Sequence, residues 1–421
     1  MYYERMTCRA GCSGPLVEIL DLGKTALAND FIEPAAVRDY RTLVPLRLNL
    51  CPNCSFLQLR EVVDPAVLYS QYSYITSTSR TMDAHLEVLA DHLLAVGGFT
   101  SAPRVLEIAS NTGLFLKKFQ QRGCQVLGVE PAANISALAA ADGIPTRIEF
   151  FDAKSAAAIR TEWNAADLII GRHVFAHIDD LMGFLQALAA VSHDRTLIAF
   201  EVPYAVDFYQ GFEFDTIYHE HLSYLSVRGI QKLLENSPFM LHRVDRYPIH
   251  GGSIMFMLRH RDGSDGVHGS IENATRLEER LGLASPATWA RFSDRVYQIQ
   301  TELVDLIGGL RKKGKRVIGY GASAKGNTLL QSCGLGREDL DYIIDNTPFK
   351  QGRVAPGSWI PVAPPGRLLE DQPDFALLLA WNFAPEIIQR EQQYQARGGR
   401  FIVPLPNPCL VPYPSKHTEQ E

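Results

Sequence analysis

Apolar segments of strand length alternate with longer helical segments through the middle of this chain, and the alternation limits the folds that it can adopt. Four strands, with helical stretches between them, are predicted at residues 104–110, 125–131, 167–174 and 196–203. Two further strands, at 241–248 and 253–259, are joined by a short glycine-containing link and predict an antiparallel hairpin. This pattern favours a mostly parallel, doubly wound sheet, here ending in an antiparallel edge.

The length of 421 residues suggests two or three domains, because domains average roughly 150 residues. We place a small module of short strands and turns at 1–75, the first α/β domain at 76–262, and linker helices with a second Rossmann-like α/β domain at 263–421. The second domain starts from an apolar strand and turn at 316–321. The predicted fold class is α/β, with a small N-terminal module before two doubly wound units.

Composition disfavours several classes of function. The net charge of −6 and the pI of about 6.1 argue against a nucleic-acid partner, since such proteins present a basic surface. The one dense basic stretch, at 311–316, is typical of a solvated helix end. No segment approaches the roughly 18 apolar residues of a membrane span, and no apolar stretch of a signal peptide follows residues 1–5. We expect a cytoplasmic monomer or weak oligomer with no membrane partner.

Four of the seven cysteines lie within the first 54 residues, as C-x3-C and C-x2-C pairs: Cys8, Cys12, Cys51 and Cys54. Four thiolates on two short turns match a closed, tetrahedral, structural zinc site. A module this small has a thin core and needs such a crosslink. Free or redox-active thiols are the alternative. The odd total and uneven spacing suit a reduced compartment better than a disulfide framework.

The first strand of the α/β domain carries Glu107 and leads into a turn of small residues containing Asn111 and Gly113, which opens a helix. Such a turn brings a ligand close to the backbone. Glu130 ends the next strand, 23 residues after Glu107, where an acid can accept hydrogen bonds from ribose hydroxyls. The turn is not the G-x-G-x-x-G of dinucleotide binding. The alternative is an ordinary Rossmann turn that binds no ligand.

The loop at 212–226 is the most unusual segment, because it packs Tyr218, His219, Glu220 and His221 together. In a doubly wound sheet this loop lies over the carboxyl ends of the strands, where ligands bind. A histidine there can abstract a proton at neutral pH. One alternative is a helix start capped by Ser226 with a satisfied histidine. A metal site is disfavoured, because adjacent residues do not converge on one ion and H-E-x-x-H is absent.

A glycine-rich turn, Gly319-x-Gly321-x-x-x-x-Gly326, follows the first strand of the second α/β domain. Alone it is weak, since a tight turn in a degenerate Rossmann unit gives the same pattern. Together with seven other motifs in order along the chain, it resembles the sugar-nucleotide C-methyltransferases of branched deoxysugar biosynthesis. These motifs are the cysteine pairs, Tyr72-Ser-Tyr-Ile-Thr-Ser-Thr-Ser, Glu107 to Gly113, His173-Val-Phe-Ala-His177-Ile, Tyr218-His-Glu-His221, His250-Gly-Gly-Ser253, and Asp345-Asn-Thr-Pro-Phe-Lys350-Gln-Gly-Arg353.

Three of the motifs depart from the family pattern. The first cysteine pair has three intervening residues where the family has two. Asn346 and Thr347 stand within a stretch that usually reads D-R-N-P. The acid-containing turn resembles the E-x-G-x-N-x-G motif of class I S-adenosylmethionine methyltransferases, with Ala109 replacing its first glycine. Alanine is a mild change if its φ angle stays negative.

The resemblance implies two bound groups, S-adenosylmethionine and a structural zinc, and a nucleoside diphosphate 4-keto-deoxysugar as substrate. Glu130 would hold the cofactor ribose, and Asn111 and Gly113 its methionine end. The other implied cofactor contacts are Glu107, Ala109 and His173. The second α/β domain would bind the substrate diphosphate, through Lys325, Asn327, Lys350 and Arg353.

The resemblance also implies a reaction in which His221 removes the proton α to the ketone and the resulting enolate attacks the methyl group. Carbon C3 is the default position, with C5 as the alternative. Tyr218, Glu220, His177 and Tyr72 match the other active-site positions, and His219 is expected to be nearly silent. The competing functions are an O- or N-methyltransferase and a non-enzymatic zinc-module adaptor.

Overall fold

The computed structural model describes residues 1–69, 80–249, 251–263 and 266–411. Tyr72 and His250, which belong to two of the motifs above, lie outside these ranges. Among the described residues, no helix is both long enough and apolar enough to cross a membrane.

The N-terminal module contains five strands, a short α-helix and a 3-10 helix at Pro34–Asp39. The strands and the α-helix are β1 (Tyr2–Glu4), β2 (Val17–Ala26), β3 (Leu43–Leu50), β4 (Leu57–Leu59), β5 (Glu61–Val63) and α1 (Pro65–Tyr69). Strands β2, β3 and β4 form an antiparallel sheet. Along β3, Val44, Leu46 and Leu48 are buried while the residues between them are only partly covered. This period of two is the pattern of a strand with one face in the core.

The first α/β domain follows, with these elements: α2 (Arg80–Gly97), β6 (Arg104–Ile108), α3 (Leu114–Gln120), β7 (Gln125–Val129), α4 (Ala133–Ala141), β8 (Thr146–Arg147), α5 (Ala153–Trp163), β9 (Leu168–Arg172), α6 (Leu181–Val191), β10 (Leu197–Pro203), α7 (Ala205–Gly211), β11 (Ser223–Tyr224), α8 (Val227–Leu234), β12 (Phe239–Tyr247) and β13 (Ser253–His260). Seven of these strands form one sheet in the order β12-β13-β10-β9-β6-β7-β8. The parallel, doubly wound arrangement is confirmed.

The predicted antiparallel hairpin is present and forms one end of the sheet. Strand β13 is the reversed strand and lies between β10 and β12, antiparallel to both. The edge strand β12 therefore runs in the same direction as β10. Burial accounts for this order, because β13 is buried along almost its whole length whereas β12 is only partly covered. The strand that is apolar on both faces takes the inner position.

The second α/β domain is reached through two helices, and its elements are α9 (Ser270–Leu281), α10 (Pro286–Lys312), β14 (Val317–Tyr320), α11 (Ala324–Ser332), β15 (Ile343–Ile344), β16 (Val362–Ala363), α12 (Arg367–Asp371), β17 (Phe375–Leu378), α13 (Ala384–Arg390), α14 (Gln392–Ala396), β18 (Arg400–Val403) and β19 (Cys409–Leu410). Its sheet has the order β16-β15-β14-β17-β18-β19, parallel except for β19. A second Rossmann-like unit is therefore present, as predicted.

The three parts of the molecule are joined by contacts that cross between them. Strand β11 leaves the first α/β domain and adds to the edge of the N-terminal sheet, where it pairs with β4. Helix α10 lies along β2, and Tyr297 donates a hydrogen bond to the carbonyl of Asp21 at 3.2 Å. The carboxyl ends of both parallel sheets consequently face a shared space.

Candidate functional site

A cavity of about 1040 Å³ lies between the two sheets and the N-terminal module. Its walls come from the residues that follow β6, β7 and β9 in the first sheet, and those that follow β14, β15 and β17 in the second. The loop before β11 and helix α1 close the remaining sides. Ligands bind at the carboxyl ends of strands in doubly wound sheets, and two such edges meet here. We call this cavity the cleft.

The turn after β6 adopts a conformation that most residues avoid. Ala109, Asn111 and Gly113 have φ angles of +56°, +51° and +74°. A side chain at Gly113 would also meet Ile144, whose Cγ2 would lie 2.9 Å from the added Cβ. Glycine is therefore required at 113 on two grounds. At Ala109 the positive φ corrects the expectation of a mild substitution, because alanine is strained in this region.

The acid at the end of β7 braces this turn. Glu130 accepts a hydrogen bond from the backbone N–H of Asn111 at 3.0 Å and another from that of Ala132 at 3.0 Å. Burial raises the pKa of Glu130, and these two backbone donors oppose the rise. Its carboxylate also lines the cleft. Each of its oxygens retains a second lone pair, so that the carboxylate can also accept hydrogen bonds from the two hydroxyls of a ribose.

A second acid is buried deeper in the cleft. Glu107 is only 3% exposed, and among the described residues its Oε2 has no hydrogen-bond partner. Burial raises the pKa of Glu107 to about 8, while the nearby Arg172 acts to lower it. Arg172 lines the same wall and donates from Nε to Oε2 of Glu201 at 2.7 Å. A carboxyl group with one unpaired oxygen, near a guanidinium, matches the ammonium and carboxylate of a methionine, so this end of the cleft fits S-adenosylmethionine.

The loop before β11 brings Tyr218 and His221 together through a tight turn. The backbone N–H of His221 donates to the carbonyl of Tyr218 at 2.8 Å, which places the two side chains on one side of the turn. Their ring centroids are 4.0 Å apart. The Tyr218 hydroxyl lies 2.7 Å from Nε2 of His221. Both rings line the cleft.

The other ring nitrogen of His221 fixes its tautomer. Nδ1 lies 2.9 Å from the carbonyl oxygen of Thr216. Because a carbonyl oxygen only accepts, Nδ1 carries the proton, and Nε2 accepts the hydrogen bond from Tyr218. Burial, and then the neighbouring His177, hold the pKa of His221 well below its usual range. The imidazole is therefore neutral at physiological pH, with its basic nitrogen toward the cleft.

His177 is the second histidine of this wall, and its ring centroid lies 5.1 Å from that of His221. Its Nδ1 is 3.2 Å from the hydroxyl of Tyr69, at the end of α1. Its Nε2 is buried and has no hydrogen-bond partner among the described residues. Burial lowers the pKa of His177 to about 4. His173, at the end of β9, also lines the cleft, and burial lowers its pKa to about 3.

Glu220 and His219 point toward the N-terminal module. Asn29 donates from Nδ2 to Oε1 of Glu220 at 2.7 Å, and Nε2 of His219 donates to the carbonyl of Pro45 at 3.0 Å. His219, Glu220 and His221 thus have separate partners and do not converge on one ion. Ser226 caps α8 by accepting from the N–H of Gly229 at 3.0 Å, so the capped helix start coexists with the histidine pair.

The second sheet contributes cations and one acid to the cleft. Lys325 forms an ion pair with Glu213 at 3.2 Å and lies over the ring of Trp381. Lys350 donates from Nζ to the carbonyl of Ala322 at 2.7 Å. Both lysines line the cleft, and their contact with a diphosphate stays a prediction.

Asp345 ends β15 and accepts from the backbone N–H groups of Ala322 and Thr347, each at 2.7 Å. This repeats, in the second sheet, the way in which Glu130 braces the turn of the first. Asp345 lines the cleft. The sequence motif at 345–353 includes Asp345, but the motif alone did not assign this residue to the site.

Two predicted substrate contacts are directed elsewhere. Asn327 is fully buried in α11 and donates from Nδ2 to the carbonyl of Ala28 at 2.8 Å. Arg353 donates to the carbonyl of Phe31 at 3.1 Å and forms an ion pair with Glu33 at 3.3 Å. In this structure both residues hold the N-terminal module against the second sheet.

The four N-terminal cysteines converge at the other side of the module. The Sγ atoms of Cys8, Cys12, Cys51 and Cys54 all lie within 4.8 Å of one another. Three of the four residues are buried, and Sγ of Cys8 is 3.6 Å from that of Cys54. Four thiol sulfurs at this spacing fit a tetrahedral zinc ion with no open position. The prediction of a structural zinc site is confirmed.

Comparison with known proteins agrees with this geometry. Residues 8–69 match a zinc binding domain family, residues 80–244 a methyltransferase domain family, and residues 248–406 the C-methyltransferase C-terminal domain family. C-methyltransferase NovU of Streptomyces niveus is 35% identical over 404 residues, which is 96% of each chain.

The solved structures that resemble part of the chain include the two described here. Magnesium protoporphyrin IX methyltransferase from Synechocystis PCC 6803 is 12% identical, covering 42% of this chain and 79% of its own, with a TM-score of 0.34. A Pyrococcus horikoshii protein, PH0226, is also 12% identical, covering 47% and 98%, with a TM-score of 0.35.

The fold and the site define a zinc-containing, S-adenosylmethionine-dependent methyltransferase. The full-length similarity is more specific: the chain belongs to the same C-methyltransferase family as the Streptomyces niveus protein. The resemblance drawn from the sequence motifs is thereby confirmed, and with it the enzyme class.

Proposed function

We propose that this enzyme transfers a methyl group to a carbon next to the ketone of a nucleoside diphosphate 4-keto-deoxysugar, with C3 as the carbon. The observation that carries the proposal is the Tyr218–His221 pair, which presents a neutral imidazole of fixed tautomer to the cleft. On the opposite side of the cleft lie the carboxyl ends of the second parallel sheet, an edge of the kind that binds nucleotides. A base of this kind is needed for carbon methylation, because a carbon next to a ketone is a poor nucleophile until it loses a proton.

His221 is the proposed base, and Tyr218 connects it to the substrate. Nε2 of His221 already accepts a hydrogen bond from the Tyr218 hydroxyl at 2.7 Å. The substrate proton therefore reaches the imidazole through this hydroxyl, which takes the proton from carbon as it gives its own to Nε2. The Thr216 carbonyl keeps Nδ1 protonated throughout and stabilises the imidazolium that forms.

S-adenosylmethionine, when bound, supplies the electrophilic sulfonium methyl. On the protein side, Glu107 would take the methionine ammonium, Arg172 its carboxylate and Glu130 the ribose hydroxyls. Asn111 and Gly113 shape the turn over which the methionine end lies. The buried carboxyl group of Glu107 and the guanidinium of Arg172, which line the same wall of the cleft, support this assignment.

The second sheet is the proposed site for the substrate nucleotide. Lys325 and Lys350 would neutralise the diphosphate beside the start of α11, where backbone dipoles favour an anion. Asp345 has the position in this sheet that Glu130 has in the first, which supports a contact with the nucleoside ribose. A reduced cytoplasm is our prediction for the location, since thiol ligands of zinc persist there.

Solvent exchange tests the base directly. With S-adenosylhomocysteine bound, methyl transfer is blocked, and the wild-type enzyme should exchange the proton α to the ketone for deuterium. We expect His221→Ala to slow this exchange by roughly 10²–10⁴-fold, the usual contribution of a general base. Affinity for S-adenosylhomocysteine should be almost unchanged.

His219→Ala is the matched control, because its imidazole is bonded to the Pro45 carbonyl. It should exchange at nearly the wild-type rate. If His221→Ala exchanges as fast as the wild type, the base has been misassigned.

A further inference from the structure

The two histidines of the cleft have different hydrogen-bond partners on their Nδ1 atoms. Nδ1 of His221 faces a carbonyl oxygen, which can only accept. Nδ1 of His177 faces the hydroxyl of Tyr69, which can donate. The tautomer of a neutral imidazole is set by the partner of one nitrogen, because the other nitrogen must then have the opposite role. The Nε2 atom of one ring can therefore accept a hydrogen bond while that of the other donates one, although the ring centroids are only 5.1 Å apart.

The surroundings of Tyr69 favour donation from its hydroxyl. Burial, and then the nearby Glu220, raise the pKa of Tyr69 well above its usual value, so the phenol keeps its proton. Its ring lies nearly parallel to that of His177, at 12° and 6.0 Å between centroids. A phenol is a stronger donor than acceptor, and the imidazole nitrogen is the stronger base of the two. With Tyr69 donating to Nδ1, the imidazole proton of His177 is on Nε2.

This arrangement leaves Nε2 of His177 with a proton that it can donate. This nitrogen is buried, it has no hydrogen-bond partner among the described residues, and its ring lines the cleft. A polar N–H in such a position costs free energy unless a ligand satisfies it. The substrate proposed above develops negative charge on its ketone oxygen when it loses the α proton, and it needs a donor at that oxygen.

We propose that Tyr69 is a positioning residue that holds His177 as the Nε2–H tautomer, so that His177 donates to the enolate oxygen while His221 removes the proton. A neutral imidazole is suited to this role, because its N–H donates a hydrogen bond to the enolate oxygen without transferring the proton to it. The helix that carries Tyr69 belongs to the N-terminal module. This module therefore contributes to the chemistry as well as holding zinc. The inference rests on the proposed function.

Nitrogen NMR of enzyme labelled with ¹⁵N-histidine reads the tautomer without any reaction. The signal of His177 is assigned among the twelve histidines by its loss in His177→Gln. We expect the wild-type spectrum to show the proton on Nε2, and Tyr69→Phe to show a mixture of tautomers or the proton on Nδ1. Tyr40→Phe is the matched control, because it removes a buried hydroxyl of the same module from a ring that packs against Trp359.

Kinetics supply the second arm. Tyr69→Phe should lower kcat about tenfold, the worth of one hydrogen bond, with the affinity for S-adenosylhomocysteine unchanged. In a His177→Gln background, where an amide N–H replaces the imidazole donor, Tyr69→Phe should have no further effect. A proton on Nδ1 in the wild type, or a wild-type kcat in Tyr69→Phe, would overturn the inference. If His221→Ala instead exchanges the α proton as fast as the wild type, it is the proposed function that is overturned.

Discussion

Replacing Glu107 with glutamine should remove a pH dependence from cofactor binding. In the free enzyme, burial holds the pKa of Glu107 at about 8, so the carboxyl is largely protonated at pH 7. A methionine ammonium needs the ionised form, and its binding must therefore expel a proton. Cofactor affinity should rise as pH increases toward 8, since less free energy is then spent on deprotonation.

The size of the effect follows from that pKa. The ionised fraction of a group with a pKa of about 8 rises from about 1% at pH 6 to about a quarter at pH 7.5, so the association constant should rise about 25-fold. Titration calorimetry at pH 6.5 should show release of nearly one proton per site. The cofactor amino group itself titrates near pH 8, and for this reason the comparison stops at pH 7.5.

Glu107→Gln keeps the shape of the side chain and should flatten the profile between pH 6 and 7.5. Glu87→Gln is the matched control, because Glu87 lies on the outer face of α2, where Lys118 and Arg122 lower its pKa. A flat wild-type profile, or the same slope in Glu107→Gln, would refute the assignment of Glu107 to the cofactor ammonium.

Two further predictions concern stability. Ala109→Gly should stabilise the protein by about 0.5–1 kcal/mol in chemical denaturation. Glycine relieves the strain of a positive φ, and this gain exceeds the extra conformational entropy that glycine loses on folding. A loss of stability would show that the methyl group of Ala109 makes a stabilising contact. Purified enzyme should contain about one zinc per chain, and Cys51→Ser should lose the metal together with part of the stability. Full metal content in Cys51→Ser would contradict the four-cysteine site.

The parallel core could be predicted because its strands are apolar and its helices periodic. Strands β6, β7, β9 and β10 lie within the predicted segments. The two-residue strand β8 was not predicted, since two residues carry no periodicity. The inner position of β13 depends on which faces of each strand are covered by other parts of the protein, and that is a property of the tertiary structure.

The site could be predicted only where a motif is local. Tyr218 and His221 are three residues apart, and a single turn brings them together. Asn29, Tyr69 and Arg172 were missed because their partners Glu220, His177 and Glu107 are far away in the sequence. The cysteine spacing revealed the zinc site, because each pair lies on one short turn.

The backbone angle at Ala109 was also beyond sequence reasoning. Alanine rarely has a positive φ, so its identity predicted the opposite of what the turn requires. Asn327 and Arg353 have side chains suited to phosphate, yet they are used to fasten the N-terminal module. Residue type alone does not distinguish a ligand contact from a contact between domains.

The position of the transferred methyl group tests the central claim most directly. The enzyme is incubated with a nucleoside diphosphate 4-keto-6-deoxysugar and S-adenosylmethionine labelled with ¹³C in its methyl group, and the product is examined by carbon NMR. We predict that the label is bonded to the sugar carbon next to the ketone, with the ketone retained. A label on oxygen or nitrogen would contradict the account, because neither product requires the enolate that Tyr218, His221 and His177 are proposed to form.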